Sequence, residues 1–171
     1  FCMFITFGCI AQNCDLPISI AFSQENESIS IPESAKNILV DKLHQVLTAN
    51  GISGNMDFDQ FALVFDCHIV DKHVVSGPPI NIVYNLSFTF KVVDTYEKTV
   101  FSTYSIDVDA TGENETKAFI SGVKQIKTKN QNIENFIDQA RLKIIAYYDK
   151  NYNRIIQKAK VLSDMNKYDE A

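Results

Sequence analysis

The segment from Ile80 to Val123 constrains the fold of this chain more than any other. Ile82, Tyr84, Leu86, Phe88 and Phe90 alternate with Asn81, Asn85, Ser87, Thr89 and Lys91. That is the two-residue period of a strand with one buried face. Asp94-Thr95-Tyr96-Glu97-Lys98 makes a charged hairpin turn. Thr99 to Asp109 returns as a second strand, with Phe101, Thr103, Ser105, Asp107 and Asp109 set against Val100, Tyr104, Ile106 and Val108. Gly112-Glu113-Asn114-Glu115-Thr116 then opens a short helix, whose Ala118, Phe119, Gly122, Val123 and Ile126 share a face. A two-stranded ribbon is at best marginally stable alone, so this one requires further strands and a covering layer.

The preceding residues supply both. Ile18, Ile20 and Phe22 alternate within a strand from Leu16 to Ser23. Pro32 suits the first position of a helix, where its missing N–H costs nothing. Ala35, Ile38, Leu39, Leu43, Val46 and Leu47 form one apolar stripe, closed by Asn50-Gly51. Gln60 to Val75 is apolar on both faces in its first half, which favours a central place in the sheet. Gly77-Pro78-Pro79 ends that strand. A long helix from Asn132 carries Ile133, Phe136, Ile137, Ala140, Ile144 and Tyr148, and either continues or breaks near Asn151 to Asn153. The expected architecture is α+β. A four-stranded, mostly antiparallel sheet in the order β-α-β-β-β-α-α carries its helices on one face, with a helical C-terminal extension.

Charge divides the chain. Residues 1–116 hold 5 Lys+Arg and 15 Asp+Glu, whereas residues 117–171 hold 11 and 6. An acidic sheet-rich half and a basic helical half attract one another. The lysines are interspersed with acids and lack an aromatic-basic platform, which argues against a nucleic-acid partner.

Phe1 to Ala11 is almost wholly apolar. It is too short for a membrane-spanning helix, which needs roughly 20 residues, but right for the apolar core of a secretory signal. Cleavage between Ala11 and Gln12 is the expectation, with residues 1–11 read as a truncated signal peptide. Thr6-Phe7-Gly8-Cys9 offers an alternative, lipidation at Cys9. Either route makes the protein exported, periplasmic or outer-membrane-associated, with a membrane contact only through a lipid anchor. Export permits a disulfide between Cys14 and Cys67, although two unpaired thiols are the favoured reading.

Chemistry-bearing residues concentrate in Asp66-Cys67-His68-Ile69-Val70-Asp71-Lys72-His73. Asp66 and His68 share one strand face, as do Asp71 and His73, and two such pairs are weak candidates for zinc ligands. The other reading is a solvated strand end with surface imidazoles. Asp107, Asp109, Glu113 and Glu115 gather near a glycine but lack the spacing of a calcium loop. No phosphate-cradling loop or assignable catalytic set is present, and no cofactor is expected.

The hairpin Val92-Val93-Asp94 through Ser105, the Asp109 to Ala118 helix start with Gly112, and the helix Ile133 to Ile145 together resemble the α+β domain of the TolB amino-terminal and CsgG envelope assembly proteins. The resemblance covers about residues 16–148, within a domain of residues 12–150. It implies a module without enzymatic activity that docks on envelope proteins of a Gram-negative bacterium. The channel-forming members' transmembrane hairpin has no counterpart. Residues 151–171 resemble the start of a tetratricopeptide repeat, with Ala159, Leu162, Met165, Tyr168 and Ala171 as its packing positions and Asn166 where glycine is usual. The rival functions are a metal-dependent hydrolase using Asp66, His68, Asp71 and His73, and a domain that holds a small apolar ligand between sheet and helices. Oligomeric state is left open.

Overall fold

The computed structural model describes residues 18–22, 31–52 and 60–165. Four strands and three helices follow in the order β1 (Ile18–Phe22), α1 (Glu33–Ala49), β2 (Phe61–Val75), β3 (Asn81–Asp94), β4 (Val100–Gly112), α2 (Glu115–Gln125) and α3 (Gln131–Asp164). The sheet runs β1-β2-β3-β4. β1 lies parallel to β2, and the β2–β3 and β3–β4 pairs are antiparallel. This is the expected α+β arrangement.

The helices cover one face. Leu63, Phe65, Cys67, Tyr84, Leu86, Phe88, Phe90 and Val108 point into a single core with Leu39, Leu43 and Leu47 of α1, Phe119 and Val123 of α2, and Phe136, Ile137 and Ile144 of α3. Burying side chains of this size stabilises by roughly 1.5–3 kcal/mol each before chain entropy is counted, so the alternating apolar residues commit the sheet to this face. Beneath Leu43, Leu63, Phe90 and Phe136 the remaining void is about 10 Å³. A space that small holds no organic molecule, which removes the basis for a ligand held between sheet and helices at that point.

Local chemistry sets the helix ends. Asn114 and Asn130 each accept a hydrogen bond at the side-chain oxygen, from the Lys117 and Ile133 N–H at 2.8 Å, and so cap α2 and α3. α1 ends in paired reverse bonds, Gly51 N–H to Thr48 O and Ile52 N–H to Leu47 O. Gly51 takes a left-handed φ of +67°, where a β-carbon is disfavoured. Pro32 occupies the capping position rather than the first helical one expected for it. Its carbonyl accepts from the Ala35 and Lys36 N–H groups.

Two β-bulges alter the side-chain alternation. In β4, Val92 of β3 lies opposite Ser102, and Val93 opposite Val100. Phe101 is therefore the extra residue, and the bulge turns it to the helix side. There its ring packs edge-on to Phe61 and Tyr147. This corrects the alternation that grouped Phe101 with Thr103, Ser105, Asp107 and Asp109, which stay on the open face. In β2 the pairing steps from Ile69–Leu86 to Asp71–Asn85 and leaves Val70 unpaired. α3 continues through Asn151 to Asn153 without a break, so residues 150 and 151 sit within one helix. Asn is only modestly unfavourable there, and the flanking residues are good helix formers.

Candidate functional site

The Val70 bulge decides the geometry of the histidine cluster. Asp66 and His68 precede it and Asp71 and His73 follow it. The extra residue reverses the alternation, so both pairs emerge on the sheet face away from the helices. Each pair closes on itself, His68 Nε2 to Asp66 Oδ2 at 3.1 Å and His73 Nε2 to Asp71 Oδ2 at 2.7 Å. A zinc site needs at least three protein ligands converging on one point. Among the described residues, no group of three or more His, Cys, Asp and Glu side chains could hold a metal ion. Asp66, His68, Asp71 and His73, the weak zinc candidates of the sequence, thus stand as two pairs successive along one strand, each bonded internally.

Cys67, between the two members of the first pair, faces the core as a free, buried thiol. Burial, and secondarily the charge of Asp66, pushes its pKa up to about 12. It is a packed apolar group rather than a nucleophile. Its suggested partner Cys14 lies outside the described residues, as do Cys9, Ala11, Gln12, Tyr168 and Ala171. The acidic residues near Gly112 also separate. Asp109 accepts from Asn85 at 2.9 Å, Glu113 pairs with Lys117, and Glu115 pairs with Lys72 at 2.6 Å. The bond to Lys72 holds the Glu115 carboxyl below its usual range. The Lys72 ammonium also lies 5.4 Å from the centre of the Tyr84 ring.

At the opposite end of the sheet is a cleft of about 710 Å³, lined by Gln60, Asp94, Tyr96, Glu97, Tyr148 and Arg154 among others. Asp94 is fully buried at its floor. Its Oδ1 accepts from the Tyr96 and Glu97 N–H groups at 2.9 Å, and its Oδ2 accepts from the Gln60 amide at 3.1 Å. The same amide donates to the Tyr148 hydroxyl. Burial and then the Asp94 charge hold that hydroxyl above the ordinary tyrosine range, so it is neutral near pH 7. Arg154 donates to the Tyr147 hydroxyl at 3.1 Å, and Lys158 reaches Glu97 at 3.6 Å. Asp94 thus holds the turn, Gln60 and Lys158 tie α3 to this end of the sheet, and the Arg154 bond lies within α3. Sequence reasoning placed Asp94 in the hairpin turn and Tyr148 on a helix stripe. The cleft was not foreseen, because its walls come from residues 60, 94 and 148.

The third feature is the β2–β3 hairpin. From Val70 to Ile80 every residue is exposed. Val70, Val74, Val75 and Ile80 are large apolar side chains more than half uncovered. The ribbon therefore continues beyond the helices that cover the remainder of the sheet.

No family model matches the chain, and no curated protein matches it. The TolB amino-terminal, CsgG and tetratricopeptide resemblances gain no family-level match. Among solved structures, a minor lipoprotein from Acinetobacter baumannii is 15% identical over 82% of this chain and 95% of its own, with a TM-score of 0.36. A protein of Xanthomonas campestris described by the DUF330 family model is 10% identical, covering 80% of this chain and 89% of its own, with a TM-score of 0.39. A PelC dodecamer from Paraburkholderia phytofirmans is 16% identical over 74% of this chain and 86% of its own, with a TM-score of 0.36. Likeness at this level carries over neither a family nor a role.

Proposed function

We propose that this chain is a non-enzymatic module of the cell envelope that binds protein partners, periplasmic or associated with the outer membrane. The observation that carries the reading is the β2–β3 hairpin, which extends past the helical layer with Val70, Val74, Val75 and Ile80 exposed. Val74 pairs with Ile82, and a partner laid along the ribbon would cover these apolar side chains. The apolar, signal-like Phe1 to Ala11 supports an envelope address. The internally paired carboxylates and imidazoles of β2 favour binding over turnover. The repeat-like positions Ala159, Leu162 and Met165 would add a second protein-binding surface.

Site-specific photo-crosslinking in cells tests the reading. A photoreactive side chain at Val75 is expected to give discrete adducts in the envelope fraction, and the same group at exposed Asp41 of α1 is not. Identical patterns at both positions, or adducts confined to cytoplasmic proteins, would sink it.

A further inference from the structure

The helix period sorts the α3 side of the cleft into two rows. Tyr147, Arg154 and Lys158 stand at i, i+7 and i+11, so Arg154 and Lys158 lie within about 20° of Tyr147 around the helix axis. Tyr148, Ile155 and Ala159 lie about 100° further round. One wall thus carries a polar, cationic row along an apolar one, and Tyr96 and Glu97 of the β3–β4 turn form the other wall. The volume of about 710 Å³ falls within the range of small-ligand clefts, roughly 300–1,000 Å³.

The fold leaves much of the hydrogen-bonding capacity of these residues unused. Asp94 is satisfied, by the Tyr96 and Glu97 N–H groups and the Gln60 amide. Arg154 is not. Its bond to the Tyr147 hydroxyl occupies one guanidinium donor and leaves the others open, and among the described residues it has no carboxylate partner. The Tyr147 and Tyr148 hydroxyls each accept a bond and keep a proton to donate. Glu97, whose contact with Lys158 is 3.6 Å long, and the Gln60 side-chain oxygen remain as acceptors. An uncommitted guanidinium therefore stands beside hydroxyl donors, two acceptors and the ring of Tyr96, which is three-quarters exposed at 75%.

Each kind of group selects a part of the ligand. A guanidinium with open, parallel donors takes a carboxylate in a fork. The charges of Asp94 and Glu97 in the same cleft oppose a phosphate dianion more than a carboxylate monoanion. Acceptors beside donors call for hydroxyl groups, which simple aromatic and fatty acids lack. Tyrosine rings and Ile155 suit the C–H face of a saturated ring. We infer that this cleft binds an acidic sugar, a uronic acid residue whose carboxylate lies on Arg154 and whose hydroxyls meet Glu97 and Gln60. The site lies at the opposite end of the sheet from the β2–β3 hairpin, so it does not depend on a protein partner there.

Nuclear magnetic resonance titration of the isotope-labelled full chain with digalacturonate tests the assignment. Saturable shifts are expected at the Tyr96, Glu97, Arg154 and Lys158 amides, and none with maltose, an uncharged disaccharide. Arg154→Gln should weaken binding about tenfold or more, the loss that follows removal of a hydrogen bond between charged groups. Lys160→Gln, on the far side of α3, should leave it unchanged. Arg154 is exposed, and circular dichroism verifies that its variant is folded. Equal shifts with maltose would overturn the inference, because the carboxylate would then count for nothing. Tighter binding of inorganic phosphate would overturn it in favour of a phosphate site, and tighter binding of benzoate in favour of an aromatic acid. Undiminished affinity in Arg154→Gln, or no saturable shift with digalacturonate, would also overturn it.

Discussion

At Gly112 the end of β4 passes directly under the first turn of α2. A β-carbon built there falls 2.6 Å from the Lys117 carbonyl carbon, within a helix backbone that cannot yield. Gly122, one turn from the end of α2, is also tight, but there the nearest atom is the Cδ1 of Leu86 at 2.8 Å, the tip of a side chain that can change rotamer. Gly112→Ala is therefore expected to destabilise by about 1–3 kcal/mol, and Gly122→Ala by less. Thermal unfolding followed by circular dichroism distinguishes the two, and the reverse order would contradict this packing. Gly122 was legible from its place on an apolar helix face. Gly112 was legible only as a punctuation mark between strand and helix, because its tight contact depends on how α2 turns back over the sheet.

Helix α2 is held at its C-terminal end by a residue from another helix. Lys42 of α1 sends its ammonium to the carbonyl oxygens of Ile126 at 2.6 Å and Lys124 at 3.1 Å. These carbonyls have no partner within α2, and a positive charge there complements the helix dipole. Partial burial lowers the Lys42 pKa, the expected effect of desolvating a cation. Lys42→Met keeps the aliphatic stem and removes the donor. It should reduce stability by about 1–2 kcal/mol while amide exchange quickens selectively at the end of α2. Uniform exchange across the domain would show that the lysine caps nothing. At this scale alternation identified all four strands and the apolar stripes identified all three helices, with shifts of a few residues at their ends. What escaped was phase. An extra residue at Val70 or Phe101 leaves no mark in composition. At Asn151 to Asn153 the sequence left continuation and a break both open, and the helix carries through.

For the molecule as a whole, the most readily measured consequence is the response of stability to alkali. The folded Cys67 thiol has a pKa of about 12 against an ordinary value near 9. Below about pH 9 the thiol is protonated in both states and contributes no slope. Above it the unfolded chain loses the proton while the folded chain keeps it, so stability falls as pH rises towards about 12. Cys67→Ala should lower stability at neutral pH through lost packing, yet flatten this decline. Urea midpoints of both proteins from about pH 7 to about pH 11 measure the difference. Parallel curves would mean that the thiol is not held neutral by burial. The chain's division into acidic and basic halves was visible from composition. The meeting of Lys158 from the basic half with Glu97 from the acidic half required the course of α3 past the β3–β4 turn.

The unpaired Val70 also acts as a change of parity along the chain. Before it, odd-numbered residues of β2 belong to the core and even-numbered ones to the open face; after it the assignment is reversed. The same short sequence thus carries two reading phases, and closing the bulge with Val70 retained in the ladder would exchange them for the remainder of the strand. Asp71 and His73 would then turn toward the helix side, while Lys72 would swing away from Glu115 and Tyr84. A related chain without the extra residue would keep one parity along the whole strand and still present the residues that follow on the same faces.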